Sequence, residues 1–253
     1  MVDYFRSFEK QLAASYRDVA SQYRHDDEIE VATSNHSRIC GNLERVSSSF
    51  ERPIHVLDVG CGTGRYFHCL KNVELLVGVD ISAEMLRAAE QPVKGDKISA
   101  KTIRLLQRNV YEHTFPSEMF DFIYCFGVFG HAAKLTSELC RKFHLWLSHD
   151  GRLYFDAIES SDDPPLIAAR RKIRQALHPL LPQRVRQKLD ERAAHLPVFT
   201  MTHEELGSVM CEGGFSDFSI SMNDCRSPLW RGAHLECIAT KSRRGHRPHA
   251  VRP

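Results

Sequence analysis

The sequence lacks any apolar run of 18 residues, the length that a membrane-spanning helix requires. Its amino terminus mixes charged residues among the apolar ones and lacks the continuous apolar segment of a secretory signal. The formal net charge is +2, too small to demand a nucleic acid or an anionic membrane as partner. We therefore expect a cytoplasmic protein with no membrane span.

The cysteines show neither a C-x-x-C pair nor histidines at zinc-finger spacing. Several lie inside apolar stretches, where free cysteine behaves as a small buried hydrophobic residue. We therefore expect reduced core residues in a reducing compartment, no disulfide framework and no metal site. The eight positions are Cys40, Cys61, Cys69, Cys125, Cys140, Cys211, Cys225 and Cys237.

The length and composition favour one globular domain. Of 253 residues, 42% are hydrophobic and 26% are charged, which suffices for one well-filled core. We expect a single domain over residues 1–240, in which residues 1–50 form a helical lid and residues 158–200 a helical insertion. The tail over residues 241–253 is basic, contains proline and lacks apolar periodicity, which predicts disorder.

The first fifty residues have a helical pattern. From Phe5 to Tyr23, apolar residues recur at spacings of three and four with charged residues between them, which predicts an amphipathic helix. The run Asp26-Asp27-Glu28 predicts the start of a second helix, because acidic side chains suit the amino-terminal end of a helix dipole.

From Ile54 onward, short apolar strands alternate with helices. A helix is predicted from Gly64 to Asn72, and another begins after Ser82. Unbroken apolar strands separated by helices predict a parallel sheet covered on both faces. The expected fold class is therefore α/β, with a Rossmann-like, mostly parallel sheet of seven strands. These strands are predicted at or near residues 54–59, 74–80, 103–108, 120–126, 152–157, 218–222 and 234–240.

A glycine-rich turn follows the first predicted strand. Gly60, Gly62 and Gly64 form G-x-G-x-G, and Arg65 stands where a dinucleotide site needs its third glycine. Asp58, two residues before the first glycine, suits a ligand with an ammonium group and would repel a pyrophosphate. The turn therefore argues against a dinucleotide.

Asp80 ends the second predicted strand, twenty positions after Gly60. A carboxylate at this place can accept hydrogen bonds from both hydroxyls of a ribose. Together the two loops predict a cofactor with an adenosine and a cationic, non-phosphorylated end, and S-adenosylmethionine is such a molecule.

With these motifs the chain resembles the class I S-adenosylmethionine-dependent methyltransferases of the small-molecule type. The resemblance covers about residues 54–157 and, more loosely, 202–240. The motifs that carry it are V-L-D-V-G-C-G-T-G, G-V-D-I-S, F-D-F-I-Y-C, L-S-H-D-G-R-L-Y-F and E-L-G-S-V-M-C-E-G-G-F.

The resemblance implies roles for individual residues. Asp58, Gly60 and Gly62 would lie along the methionine part of the cofactor, Asp80 would bind the ribose, and Ile81 would pack on the adenine. Asn109, beside Val110, would accept a hydrogen bond from the adenine amine through its amide oxygen. The backbone of Cys125 and Phe126 would approach the methionine amine. Cys61 in the loop and Met85 behind the second motif complete the expected cofactor-binding set.

Two residues are candidates for catalysis. His131 follows the fourth predicted strand and would act as a general base or hydrogen-bond donor, or else cap the next helix. Tyr23 would close over the cofactor, since amino-terminal helices often form a lid in this family, although docking of the helix would also explain it. The loop Cys125-Phe126-Gly127 lacks the acidic ligands of metal-assisted relatives, so we expect no metal dependence.

The methyl acceptor is the open question. The basic segment over residues 158–200 would be a lid for an anionic acceptor, an RNA or membrane-surface patch, or a solvated helical face. No N-P-P-Y or D-P-P-Y follows the fourth strand and the basic segment lacks interleaved aromatics, so a nucleic acid is disfavoured. We expect a small-molecule acceptor that presents oxygen, nitrogen or carbon. An RNA methyltransferase, a non-catalytic S-adenosylmethionine-binding protein and an NAD-dependent oxidoreductase are the alternatives.

Overall fold

The computed structural model describes residues 16, 19–130, 133–160, 199–226 and 231–242. Two helices lead into the sheet, α1 over residues 19–30 and α2 over Ser34–Ser48. The elements that follow are β1 (Ile54–Val59), β2 (Val73–Asp80), α3 (Ala83–Ala89), β3 (Thr102–Gln107), β4 (Phe120–Phe129), α4 (Ser137–Trp146), β5 (Leu147–Ile158), α5 (His203–Glu212), β6 (Asp217–Arg226) and β7 (Arg231–Thr240).

The strands form one seven-stranded sheet in the order β3-β2-β1-β4-β5-β7-β6. Strands β1 to β5 pair in parallel, and β7 lies antiparallel between β5 and β6. This confirms the predicted α/β, Rossmann-like, mostly parallel sheet of seven strands. Since parallel strands end at one edge, the loops after β1, β2, β3 and β4 meet there.

Apolar side chains cover both faces of the sheet. Successive residues of β1 and β4 point to opposite faces, as the pleat of a strand requires. One buried cluster includes Leu57, Ile123, Cys125, Phe143 and Trp146. The other includes Val56, Phe122, Tyr124, Ile39 and Leu43. The core therefore has two layers, with α4 and α5 contributing to the first and α2 to the second.

A buried polar network docks α2 on the sheet. Arg38 donates to Glu236 of β7 at 2.6 Å, and the hydroxyl of Tyr154 on β5 donates to the same carboxylate at 2.8 Å. Asn42 donates to that hydroxyl at 3.0 Å. Because each buried polar group has a partner, the network fixes the position of α2.

The second amino-terminal helix begins later than predicted. Residues 19–30 are one helix, and α2 starts after Thr33, whose side chain accepts from the amide of His36 at 3.1 Å. The Asp26-Asp27-Glu28 run therefore lies inside α1. Asp27 is fully buried there. Contacts with residues outside the helix, and not the helix dipole, therefore explain why an acidic residue occupies this position.

The helix predicted from Gly64 to Asn72 is absent from the structure. The chain makes a series of turns and a short 3₁₀ helix, Phe67–Cys69. Gly64 has φ +77° and Leu70 is extended, so few residues remain for helical turns. This short segment carries the chain from the glycine turn toward β2.

Some expectations concern residues outside the described part of the chain. They include His131, residues 161–198 of the expected insertion and the tail from residue 243 onward. Lys241, at the start of the expected tail, is buried and donates from Nζ to the carbonyl of Leu147 at 2.7 Å. Among the described helices, none combines the length and apolarity that crossing a bilayer requires.

Candidate cofactor site

The glycine turn after β1 has left-handed backbone at three positions. Gly60, Gly62 and Gly64 have φ of +68°, +52° and +77°, a region that side chains with a Cβ rarely adopt. A Cβ at Gly60 would lie 2.2 Å from Cγ2 of Val128, whereas a Cβ at Gly62 would meet nothing within 4 Å. Gly60 thus permits close packing, and Gly62 leaves open space beside its backbone for a ligand.

Asp80 connects this turn to the end of β2. Its carboxylate accepts from the amide of Gly62 at 3.0 Å and from the amide of Ser82 at 2.8 Å. Burial raises the pKa of Asp80, while these backbone hydrogen bonds oppose the rise. The side chain is held at the sheet edge, where its remaining lone pairs can receive ribose hydroxyls.

Asp58 lies at the end of β1 with 3% of its surface exposed. Burial, together with the nearby charge of Asp80, raises the pKa of Asp58 to about 8. A cationic group placed beside it would favour the ionised carboxylate and offset the cost of burial. This is the behaviour expected of a partner for the methionine ammonium.

The residues predicted on the adenine side follow β2 and β3. Ile81 accepts from the side-chain amide of Gln107 through its carbonyl at 3.1 Å, which links the two loops. The amide oxygen of Asn109 accepts from the backbone amide of Tyr111 at 2.9 Å. This contact uses one of the two lone pairs through which Asn109 was expected to meet adenine. Val110 is buried beside it.

The predicted side chains of Cys61, Met85 and Cys125 are buried in the protein. The amides of Gly60 and Cys61 both donate to the carbonyl of Val79, at 2.8 and 3.0 Å. Phe126 packs edge-on against Tyr154, with 4.7 Å between ring centroids. These residues shape the site through backbone and packing. The predicted cofactor residues lie within or after the carboxyl-terminal halves of β1, β2, β3 and β4.

Comparisons with known proteins indicate a methyltransferase domain. A family model described as "Methyltransferase domain" matches residues 57–155. The malonyl-[acyl-carrier protein] O-methyltransferase of Paenibacillus sp. (strain JDR-2) is 29% identical over 158 residues, which is 59% of this chain and 52% of that protein. The match therefore spans about half the length of this curated relative.

Solved structures share the fold. Magnesium protoporphyrin IX methyltransferase from Synechocystis, solved with bound SAH, has a TM-score of 0.59 at 14% identity and covers 91% of this chain and 100% of that chain. A possible histamine N-methyltransferase from Thermotoga maritima has a TM-score of 0.56 at 15% identity, with the same two coverages. Residues 57–155 therefore match a methyltransferase domain.

A buried ion pair anchors α1 to the glycine turn. Asp27 of α1 accepts hydrogen bonds from Nε of Arg65 and from the hydroxyl of Thr63. Arg65 is the residue that occupies the position of the third dinucleotide glycine, and sequence alone suggested no partner for it. The pair spans 38 residues and places α1 directly against the turn.

The predicted lid residue Tyr23 lies half-buried on α1, with its ring centroid 5.9 Å from that of Tyr16. Burial raises the pKa of Tyr23, and the charge of Arg65 opposes this rise. Burial also raises the pKa of Tyr16, with further contributions from Tyr23 and from the charge of Asp80. Both tyrosines therefore lie near charged residues of the cofactor loops.

A buried Asp–His pair lies next to the end of β4. Nδ1 of His234 is 2.8 Å from Asp156, whose other oxygen accepts from the amide of Gly127 at 2.9 Å. Gly127 has φ +73° and directly follows Phe126. The pair thus holds the backbone at a predicted cofactor position. The sequence gives no signal for it, because its members are 78 residues apart.

The structure also corrects the expectation for two cysteines. Cys40 of α2 and Cys69 of the 3₁₀ helix are in disulfide contact, with their Cα atoms 4.9 Å apart, so they are not independent core residues. His36 and His68 lie beside them, and the four side chains form a group that could hold a metal ion. The H-x-x-x-C spacing on a predicted helix was the available signal. The second half of the group, the dipeptide His68-Cys69, is recognisable only when the structure brings it next to α2.

Proposed function

We propose that this protein transfers the methyl group of S-adenosylmethionine to an oxygen, nitrogen or carbon nucleophile of a small-molecule acceptor. The supporting observation is that Asp58 and Asp80 lie near the carboxyl ends of the paired strands β1 and β2, with Asp80 bound to the open backbone at Gly62. One carboxylate suits an ammonium and the other suits ribose hydroxyls. Glycine between them allows the cofactor to approach the backbone.

The bound cofactor supplies an electrophilic methyl group, which an acceptor displaces from the sulfonium in line. The protein must then hold the nucleophile about 3–3.5 Å from the methyl carbon and exclude water. Phe126, Tyr154 and Tyr66 form an aromatic group next to the end of β4, with Tyr66 and Phe126 centroids 5.5 Å apart. We assign this group to the wall of the reaction site. His131 stays our candidate for a base, with Tyr23 as the lid residue.

The names of the relatives favour a small acceptor group. The curated relative is named for O-methylation of a malonyl group on acyl-carrier protein, and a structural neighbour is named for magnesium protoporphyrin IX. A malonyl group is anionic, and the segment over residues 158–200 carries many arginines. We therefore propose an anionic small-molecule acceptor that this segment meets through ion pairs.

We also place the reaction in the cytoplasm. The described chain retains four buried cysteines as free thiols, Cys61, Cys125, Cys140 and Cys237. Such thiols persist in a reducing compartment.

A ligand-binding assay tests the cofactor part of the proposal. S-adenosylhomocysteine at 100 times its dissociation constant should stabilise the protein by about 2.7 kcal/mol, which thermal denaturation detects readily. NAD should produce no shift. Asp80→Asn should weaken binding by roughly tenfold or more, since a hydrogen bond to a charged group is worth about 1.5–3 kcal/mol. Asp121→Asn is the matched control, because Asp121 is buried at the amino-terminal end of β4.

A turnover assay tests the acceptor part. Purified protein is incubated with S-adenosylmethionine and either a panel of small carboxylates, amines and phenols or total RNA, and S-adenosylhomocysteine release is measured. Turnover with a small acceptor supports the proposal. Turnover with RNA alone would favour the RNA methyltransferase, and tight cofactor binding without turnover on either panel would favour a non-catalytic binding protein.

A further inference from the structure

Two short segments bring four metal-ligand side chains together behind the cofactor loop. His36 and Cys40 are four residues apart on α2, so they lie on one face of the helix. His68 and Cys69 belong to the 3₁₀ helix that follows the glycine turn. One ligand atom from each of the four lies within 4.8 Å of the other three.

Three sulfur–nitrogen separations are close to the edges of a tetrahedral metal site. Sγ of Cys40 is 3.2 Å from Nε2 of His36 and 3.9 Å from Nε2 of His68, and Sγ of Cys69 is 3.5 Å from the latter nitrogen. Zinc–sulfur and zinc–nitrogen bonds of about 2.3 and 2.0 Å at tetrahedral angles give a sulfur–nitrogen edge of roughly 3.6 Å. The three measured edges lie on both sides of this value.

Two members of the group are buried, and the other two, Cys40 and His68, are half-buried. His36 is 1% exposed and Cys69 is 4% exposed, and the ring of His36 stacks on His68 and Tyr66. Nδ1 of His36 and Nδ1 of His68 are buried without a hydrogen-bond partner among the described residues. Burying two imidazoles with so few polar contacts is costly. Zinc would bind each ring through Nε2, the nitrogen that faces the cysteine sulfurs, while Nδ1 of each ring would stay without a partner among the described residues.

We propose that His36, Cys40, His68 and Cys69 bind one zinc ion in a structural Cys₂His₂ site. Two thiolates and two imidazoles are a ligand set that selects zinc, and four protein ligands leave no position open for catalysis. The ion would join α2 to the segment that leaves the glycine turn. It would thereby fix the cofactor loop at a place where the predicted helix is absent.

Zinc and a disulfide are alternative states of the same two cysteines. Zinc binds thiolates, so Cys40 and Cys69 must be reduced, and their sulfur atoms must separate to about 3.7 Å in the tetrahedral site. The disulfide contact in the structure shows that both sulfurs point to one spot. Reduced protein is therefore the form in which the site is tested.

The test measures metal content in the full chain, without a metal-binding tag. Protein purified in a phosphine reductant should carry about one zinc ion per chain, as measured by inductively coupled plasma mass spectrometry. Cys40→Ser should lower zinc affinity more than about 100-fold, because loss of even a supporting residue costs 10–100-fold. Cys237→Ser should keep its zinc, since Cys237 is a buried free cysteine outside the group.

Cobalt substitution gives a readout that does not depend on the folding of any variant. Reduced wild-type protein titrated with Co²⁺ should show tetrahedral ligand-field bands and thiolate charge-transfer absorption at about one equivalent. Circular dichroism checks that Cys40→Ser is folded, and His36→Gln serves as a second ligand variant. Failure of the reduced protein to bind zinc or cobalt would overturn the proposal. So would a Cys40–Cys69 disulfide that persists under reduction in metal-free protein.

Discussion

Replacement of Asp58 by asparagine tests the electrostatics of the cofactor site. Burial, aided by the charge of Asp80, raises the pKa of Asp58 from 3.8 to about 8. The folded protein therefore keeps a proton on this carboxyl over a pH range in which the unfolded chain has released it. Between these two values the folded state binds more protons, so the contribution of Asp58 to the free energy of unfolding falls as pH rises.

The size of the effect follows from the pKa shift. One pKa unit corresponds to about 1.4 kcal/mol, so the loss is about 1.4 kcal/mol per pH unit and on the order of 5 kcal/mol over the interval. Asparagine resembles the protonated carboxyl in shape and does not titrate. Asp58→Asn should therefore match wild type near pH 4 and become progressively more stable than wild type up to about pH 8.

Urea unfolding followed by tryptophan fluorescence at half-unit steps from pH 5 to 9 measures this difference. Subtraction of the wild-type values from those of the variant cancels the titration of the other groups. A stability difference that stays flat between pH 5 and pH 8 would refute the assignment of a raised pKa to Asp58.

Cofactor affinity should rise with pH, whereas the contribution of Asp58 to stability falls. An ammonium group prefers the ionised form of Asp58, so the affinity of wild type for S-adenosylhomocysteine should rise as pH increases toward about 8. Asp58→Asn should bind more weakly and lack this rise. Calorimetric titration at several pH values measures both, and wild-type affinity in the variant would contradict the role given to Asp58.

The other predictions concern the turn, its anchor and the opposite sheet edge. Gly60→Ala should lower the free energy of unfolding by about 1–3 kcal/mol, because the new Cβ has no room. Gly41→Ala in α2, where a Cβ meets nothing, should raise it by about 0.5–1 kcal/mol. Equal effects of the two variants in urea unfolding would contradict this. Asp27→Asn should cost about 3–5 kcal/mol by leaving Arg65 unpaired, and a double-mutant cycle with Arg65→Met should show strong coupling. Burial alone would raise the pKa of Asp121, but hydrogen bonds from neighbouring groups lower it, so Asp121 stabilises the fold above pH 4 and this contribution disappears on acidification. Asp121→Asn should therefore cost stability at pH 7 and little at pH 2, and acid titration by circular dichroism would show whether the two curves converge.

Most of the fold was predictable because each strand is a short apolar run that can be recognised from neighbouring residues alone. The apolar runs around Val56, Val77 and Ile123 are buried as expected, and the capping box of Thr202 and Glu205 starts α5 as its spacing predicts. The failures lie where local signals were weak. Gly64 has left-handed backbone, and this prevented the helix that composition alone favoured.

The candidate site was predictable in part for the same reason. Asp58, Gly62 and Asp80 are recognisable from their place relative to strand ends, and the structure brings Asp80 to the amide of Gly62. The contacts of Asn109 depend on the turn that follows it, which no motif specifies. The roles of the site residues in binding and turnover stay predictions that the assays above can test.

The sequence by itself determined the alternation of strands and helices, the glycine turn and the class of cofactor, because each depends on residues close together in the chain. Only the tertiary structure decided that Asp27 anchors Arg65, that Asp156 holds Gly127, and that two segments 28 residues apart bring Cys40 to His68. Such pairings depend on how separate elements pack against each other. The spacing of residues within one element does not predict that packing. The turn therefore identifies the methyl donor, whereas the contacts that hold it in place belong to the fold.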